Sequence, residues 1–369
     1  MKKKTWNGRW IALLALITVV LAGCGNAEIS TLQPAGQVGK DQFRLLMIAS
    51  SIMLFVIFVV VIIYTIALVR FRRSKVGEDF VPKQVEGSHT LELVWTIIPV
   101  ILVSILAVVT VYYTYKLGDV SAMDAVDEDG DPEHLVVNVT AKLYWWEFEY
   151  PNEDVVTSQE LVVPVGEKVY FNLISSDVKH SFWIPSVGGK LDTNVENVNK
   201  FYLTFDEESN GLKDGVFYGK CAELCGPSHA LMDFKVKAVD RDTFDDWIAS
   251  MQQTDEQSPV VDEQGEQVFA ESCIGCHATS GVGVSNGIGE SNTMGPNLAT
   301  FGDRNRIAGY LPHEKEKLKE WVRDTEAHKP GNKMPSFTKE QISDEELDAL
   351  ADYLFGLKVE DDQETKSDR

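Results

Sequence analysis

The hydrophobic pattern changes character twice along the chain. Long uninterrupted apolar runs come first, short β-branched and aromatic clusters follow, and helical spacing of apolar residues closes the sequence. Leu45–Val69 contains 25 residues without a charge and Leu93–Tyr115 contains 23. About 20 apolar residues cross the hydrocarbon core of a bilayer, so both runs predict transmembrane helices, over about 45–69 and 93–115. Pro99 falls early in the second run, where a membrane helix tolerates it. The loop between them carries Arg70, Arg72, Arg73, Lys75 and Lys83, which predicts a cytoplasmic loop. Everything after about residue 117 is then extracytoplasmic, as is the N-terminus.

A shorter apolar run, Trp10 to Leu21, lies between three lysines and the sequence Leu21-Ala22-Gly23-Cys24. A charged start, a short apolar stretch and a small-residue cleavage site make a signal peptide over 1–23. Ending on cysteine, it resembles a bacterial lipoprotein signal, which implies lipidation of Cys24. An uncleaved anchor is the alternative.

Residues 118–248 predict a third kind of structure. Leu135–Thr140, Tyr144–Tyr150, Leu161–Val163, Val169–Ile174, Phe182–Ile184, Phe201–Phe205 and Phe234–Val239 read as short strands, punctuated by clusters such as Pro164-Val165-Gly166. That spacing predicts an antiparallel sandwich. A polar, acidic stretch at 249–262 reads as a linker. In the region 263–358, helices are expected from Gln264, over Glu314–Asp324 and from about Asp344 to Leu357. The last has a Ser343/Glu346 capping box and a Leu347, Leu350, Leu354, Leu357 stripe suited to a core. The remainder, 359–369, is a charged tail.

Charge divides the chain in the same place. Residues 1–118 hold 12 basic and 6 acidic side chains, and the rest hold 22 and 50, within an overall net charge of −22. An acidic outer surface excludes nucleic acid as a natural partner. It predicts a donor protein that is basic, with rates falling as salt rises, or one that docks by apolar contacts.

Five cysteines do not make a disulfide framework. Cys221 and Cys225, with His229, Met232 and an upstream His180, form a set of two thiolates, two imidazoles and a thioether. Soft ligands with imidazole select copper. One blue copper needs a single Cys, whereas two coppers bridged by two thiolates use both. A Cys2His2 zinc site is the rival, and it leaves Met232 unused. Cys273-Ile-Gly-Cys276-His277 is the c-type haem attachment signature, with His277 as an axial ligand. Met334, in Lys333-Met334-Pro335, is the expected second axial ligand, with Met294 as rival. His134, His313 and His328 have no partner pattern and read as ordinary loop or surface residues.

Residues 40–240 resemble subunit II of the haem-copper cytochrome c oxidases, on the Cys-x-Glu-x-Cys-x-x-x-His-x-x-Met motif and the Glu92-Leu-Val-Trp95-Thr stretch. The resemblance implies a cupredoxin-like all-β sandwich after a two-helix transmembrane hairpin, with an all-α class I cytochrome c domain to follow. It implies a binuclear CuA centre in which Cys221 and Cys225 bridge, His180 and His229 cap, and Met232 is a weak ligand. Glu223 would ligate through its backbone carbonyl and reach a magnesium ion shared with subunit I. Glu92, otherwise a solvated flank, would stand at the mouth of a proton path. Asp177 would lie near the docking face and Asp192 towards subunit I. The family has an exposed Trp as its first electron acceptor where this chain has Tyr144, which leaves Tyr144 and Trp145 as candidates.

The fusion resembles the caa-type oxidases. The implied function is relay of electrons from an external donor, a cytochrome c or a quinol–cytochrome reductase, through haem c and CuA to subunit I, where oxygen becomes water. The chain alone holds no oxygen-reducing site. A short linker makes delivery intramolecular, at roughly millimolar equivalent concentration. The alternatives are a nitric or nitrous oxide reductase subunit and a non-catalytic, membrane-tethered electron carrier.

Overall fold

The computed structural model describes residues 10–15, 18, 23, 25–77, 80–254, 262–284, 288–289 and 293–359. Cys24, most of the expected signal peptide, residues 255–261 and the charged tail beyond 359 lie outside the described residues. The rest forms two units, one comprising 41–119 and the other the residues up to Lys40 together with 120–369.

The first unit is a helical hairpin. Helix α1 (Gln37–Arg70) and helix α2 (His89–Gly118) are long and apolar enough to cross a membrane. Both outrun the apolar runs that predict them. Polar residues continue a helix into the interfacial region, and Ser88 caps the start of α2 by accepting from the Leu91 N–H at 3.4 Å. At the opposite end, Lys116 Nζ lies 2.5 Å from Asp41 and Arg44 donates to the Tyr113 hydroxyl at 3.5 Å. Such pairs tie the outer ends of the two helices together. The segment before the hairpin belongs with the second unit: Ala35 and Gly39 donate to Ser186 and Val187 carbonyls at 2.6 and 2.8 Å.

The second unit begins with a sandwich of ten strands. These are β1 (Leu135–Lys142), β2 (Trp145–Tyr150), β3 (Val155–Ser158), β4 (Glu160–Pro164), β5 (Lys168–Ser175), β6 (His180–Trp183), β7 (Leu191–Thr193), β8 (Asn199–Thr204), β9 (Phe217–Cys221) and β10 (Asp233–Val239). One sheet runs β3-β2-β1-β5-β8 and the other β4-β10-β9-β6-β7. Trp146, Phe148, Phe171, Phe182 and Phe234 fill the space between them, with Phe182 and Phe234 stacked at 4.8 Å.

The sandwich is mixed, which corrects the antiparallel expectation. β1 pairs parallel with β5, and β4 parallel with β10. After the β1–β2–β3 meander the chain crosses to the second sheet as β4, then returns beside β1 in the same direction. Hairpin reasoning cannot produce that crossover. Strands β3, β7 and β9 are absent from the sequence pattern. The first two hold only four and three residues, and β9 is interrupted by Gly219. The Phe234 ring lies over that glycine, where a Cβ would come within 2.2 Å of it.

Helix α3 (Arg241–Gln252) closes the sandwich and extends into the stretch read as linker. Trp247, Ile248 and Met251 are buried, with Trp247 edge-on to Tyr150 at 5.4 Å. Apolar periodicity continues through residues whose polar neighbours disguise it.

Helix α4 (Glu263–Ser272), helix α5 (Lys315–Arg323) and helix α6 (Asp344–Gly356) make the haem-type lobe around Phe269, Leu298, Trp321, Leu350 and Leu354. The Ser343/Glu346 capping box is present. α4 and α6 cross at Gly265, where an added Cβ would fall 2.2 Å from the Ala349 carbonyl oxygen. His313 is half-buried, its ring stacked on Phe355 at 4.4 Å and bonded to the Phe301 carbonyl at 2.9 Å, so it is a structural residue of this lobe.

The haem-type lobe packs on the sandwich. Val156 donates to the Gly281 carbonyl at 2.8 Å, Asn297 N–H to Ser158 Oγ at 3.0 Å, and Val284 N–H to Asp154 at 3.1 Å. Every residue of β2 and β4 is buried, including Glu147 and Glu160, so the alternation expected of a half-exposed sheet is lost there.

Gly265→Ala is predicted to destabilise the haem-type lobe by about 1–3 kcal/mol, because backbone stands where the methyl would go. Chemical unfolding followed by Trp321 fluorescence measures it, and an unchanged midpoint contradicts the crossing geometry.

Candidate functional site

The end of β9, the start of β6 and the loop before β10 bring six sequence-predicted residues together. Cys221 Sγ lies 3.9 Å from Cys225 Sγ, 3.9 Å from His180 Nδ1 and 3.3 Å from the Glu223 carbonyl oxygen. Cys225 Sγ lies 3.7 Å from His229 Nδ1 and 3.9 Å from Met232 Sδ. His180, Cys221 and Cys225 make the one group of three or more Cys, His or carboxylate ligands found among the described residues. Sheet pairing sets the frame: Phe182 is opposite Cys221, and Lys220 opposite Asp233.

The thiols share their protons. Cys221 is pushed down, first by its hydrogen bond with the Cys225 thiol and then by His180, against the opposing effect of burial. Cys225 is raised, first by its hydrogen bond to Cys221, then by burial and by the charge of the neighbouring thiolate. The fully buried His180 bonds through Nε2 to Asp177 Oδ1 at 2.9 Å, leaving Nδ1 towards the sulfurs. Asp177 also accepts from the Leu143 and Val178 N–H groups at 2.7 Å. Hydrogen bonds from His180 and those amides hold the Asp177 carboxyl below its ordinary range, outweighing its burial. Glu223 has its carboxylate half-exposed, 3.9 Å from Lys190, and Asp192 pairs with Lys179 at 2.9 Å. Glu92 sits exposed in the first turn of α2.

A second constellation lies in the α-helical lobe. Cys273, Cys276, His277, Met294 and Met334 all line one cavity of about 570 Å³. His277 accepts no charge readily: burial lowers its pKa, and its Nδ1 bonds to the Pro296 carbonyl at 2.7 Å, which leaves Nε2 for the cavity. Gly295 packs against that ring, where a Cβ would come within 2.7 Å. Met334 is placed by Asn332, which accepts from its N–H at 2.8 Å, and by Thr325, which donates to its carbonyl at 2.7 Å. Trp321 Nε1 donates to its sulfur at 3.2 Å. Met294 is 72% exposed.

Four residues that sequence reasoning passed over, or assigned elsewhere, line this cavity: Arg304, Tyr144, Trp145 and Lys329. Arg304 lines the cavity buried, and its Nε has no hydrogen-bond partner among the described residues. Burial pushes its pKa down to about 10. Tyr144 and Trp145 are only 4% and 8% exposed, so neither is the exposed aromatic that the resemblance implies. The haem-type lobe covers them, and both line its cavity. Tyr144 also reaches the thiolate loop, since a Cβ on Gly226 would fall 2.4 Å from its hydroxyl. Lys329 is buried at the same join, with its Nζ 2.7 Å from the Tyr144 carbonyl. A lone lysine or arginine in a loop carries no motif, so only the packing of the lobes reveals Lys329 and Arg304 and buries Tyr144 and Trp145.

Family models match the chain in the same three parts. Residues 35–112 match "Cytochrome C oxidase subunit II, transmembrane domain", residues 153–239 its periplasmic domain, and residues 263–358 "Cytochrome c". A cytochrome c oxidase subunit 2 of Bacillus sp. (strain PS3) is 54% identical over 98% of this chain and 100% of its own length. The chain belongs to the cytochrome c oxidase subunit 2 family. The subunit 2 of Bacillus subtilis is 50% identical over 97% of this chain and 99% of its own length. A quinol oxidase subunit 2 of Bacillus spizizenii is 36% identical over 66% of this chain and 72% of its own length. This oxidase subunit is thus part of an oxidoreductase complex, anchored by its helical hairpin with a cytochrome c domain fused behind the cupredoxin-like one. These domains imply binding of copper and haem c.

The donor sets fit both groups. Two thiolates, two imidazoles and a thioether within 4 Å steps suit soft, copper-type coordination, and the apolar cavity with one unsatisfied guanidinium N–H suits a ring carrying anionic substituents.

The Lys329 amine is pushed down to about 7 by burial, from 10.5 when free. Between those values the unfolded chain binds the extra proton, so stability rises with pH. Lys235, pushed down to about 8 by burial, adds in the same direction. We predict that the urea midpoint of the outer unit climbs from about pH 7 to about pH 9 and that Lys329→Met reduces the slope. An identical slope in the variant contradicts the burial of the charge.

Proposed function

We propose that this chain relays single electrons from an external donor to the oxygen-reducing subunit of a terminal oxidase. Haem c would be held by Cys273 and Cys276 through thioether bonds, with His277 and Met334 as the side chains that would ligate its iron. Binuclear copper would be held by Cys221, Cys225, His180, His229, Met232 and the Glu223 carbonyl. Both groups, when bound, supply reversible one-electron exchange.

The chain's residues do the rest. Asp177 fixes the His180 ring so that Nδ1 faces the thiolates. The Pro296 carbonyl does the same for His277. Arg304 offers its free Nε–H to an anionic haem substituent, and Trp321 and Thr325 hold the methionine loop in place. Burial of Tyr144 and Trp145 makes them part of an internal route between the two sites. An external donor then meets the haem lobe, with the copper lobe behind it. A magnesium ion would need further ligands from a partner subunit, because no ligand cluster among the described residues includes Glu223. Glu92 is assigned to proton delivery in that partner's direction.

The observation that carries this reading is the convergence of both donor sets in one outer unit, with Tyr144 lining the haem-type cavity and packing against Gly226 beside Cys225. The relatives that span the chain almost end to end are oxidase subunits, which favours an oxidase over a nitrogen-oxide reductase or a lone carrier.

EPR of the oxidised, copper-loaded, haem-bearing chain tests it. One electron shared over two coppers is expected, and a single-copper pattern overturns the binuclear assignment. Asp177→Asn is predicted to weaken copper binding by about ten- to a hundredfold in a competition titration, because the neutral amide orients the His180 ring less firmly and makes it a less basic ligand. Wild-type affinity in that variant places the carboxylate outside the site.

A further inference from the structure

The join between the lobes contains an arrangement that neither ligand set requires. Lys329 is buried, and its Nζ donates to the Tyr144 carbonyl at 2.7 Å and to the Ala308 carbonyl at 2.8 Å. These two carbonyls each take one of its N–H groups. On the next residue, the Pro330 carbonyl accepts from Ser228 Oγ at 2.7 Å. Ser228 is itself fully buried and adjoins His229. At Gly331 a Cβ would stand 3.3 Å from the Tyr144 hydroxyl and 3.6 Å from Pro227. Three consecutive residues of the haem lobe are thus gripped by Tyr144 and by the Cys225–His229 loop.

The same segment is fixed to the methionine. The Asn332 side chain donates to the Lys329 and Thr325 carbonyls at 2.7 and 3.0 Å while accepting from Met334 N–H at 2.8 Å. A shift at Lys329 therefore moves the Met334 loop. An apolar side chain of equal length would fill this space at less desolvation cost, so a lysine here serves position more than stability.

We propose that Lys329 and Ser228 form a clamp that locks the Met334 loop of the haem lobe onto the Cys225–His229 loop of the copper lobe, and so sets the separation across which electrons pass. Both are positioning residues. The clamp makes the outer lobes a single body during turnover, in place of a haem domain swinging on a tether. The proposal rests on the relay function above for its consequence, and on the hydrogen bonds alone for its existence.

The test uses the intact oxidase with a protease site inserted within 255–261. Cleaved wild type is expected to keep its haem lobe on gel filtration, whereas the Lys329→Met/Ser228→Ala double variant releases it. Before cleavage, internal transfer from photoreduced haem to copper is expected to slow by about tenfold or more in the double variant, because small misplacements cost large factors. The methionine–haem charge-transfer band and the copper EPR stay as in wild type. Retention of the cleaved lobe by the double variant overturns the clamp, and an unchanged transfer rate overturns its role in setting the separation. Ser228→Ala alone removes only a hydroxyl and keeps the test open if Lys329→Met fails to fold. Absence of haem or copper from wild type defeats the relay reading, while lobe release still decides the clamp.

Discussion

The outer unit depends on the covering of one patch of the sandwich, around Tyr144, by the haem-type lobe. Tyr144 stands where a thiolate-bearing loop and a methionine-bearing loop approach each other, and glycines at 226 and 331 are what let both backbones come so close to its ring. Larger residues at those positions would push the loops apart. Gly226 also has a φ of 141°, a region that β-carbon-bearing residues rarely adopt.

Covering both faces of β2 creates a second requirement. Polar groups that face water in an ordinary sandwich must find partners inside. Lys142 and Glu147 pair at 3.0 Å, with the ammonium also 4.4 Å above the Trp145 ring. Burial lowers the Lys142 pKa, although Glu147 opposes it. Asn305 donates to Glu160, and Lys235 sits over the Tyr218 ring at 4.2 Å. Of these, the Asn305–Glu160 bond crosses between the lobes and so favours one docking pose. That fits the proposed relay, in which two redox sites keep a fixed separation.

The membrane hairpin, the metal-ligand spacings and the haem attachment sequence are all local signals. A 25-residue charge-free run, Cys221-x3-Cys225 and Cys273-x2-Cys276-His277 each carry their meaning within one stretch of chain. The strands were legible where apolar and β-branched residues cluster, as in Val169–Ile174. They were not at β3 and β7, which hold four and three residues, or at β9, which has Gly219 at its centre. The crossover that makes β1 and β5 parallel is invisible to pattern, since period-two alternation is the same for either direction. The linker boundary was misplaced for a similar reason. Ile248 and Met251 bury themselves against surfaces supplied by distant residues, Gly281 among them.

By itself the sequence determined the order of the three parts, the side of the membrane and the chemistry of each donor set. Those follow from transfer free energy, charge bias and ligand softness, which act on neighbours in the chain. Only the tertiary structure decided that His180 meets Cys221 with Asp177 behind it, that Arg304 is buried with a free donor, and that Tyr144 is covered. These pairings join residues far apart in sequence. Their energies come from burial, which no residue possesses until another surface is laid against it.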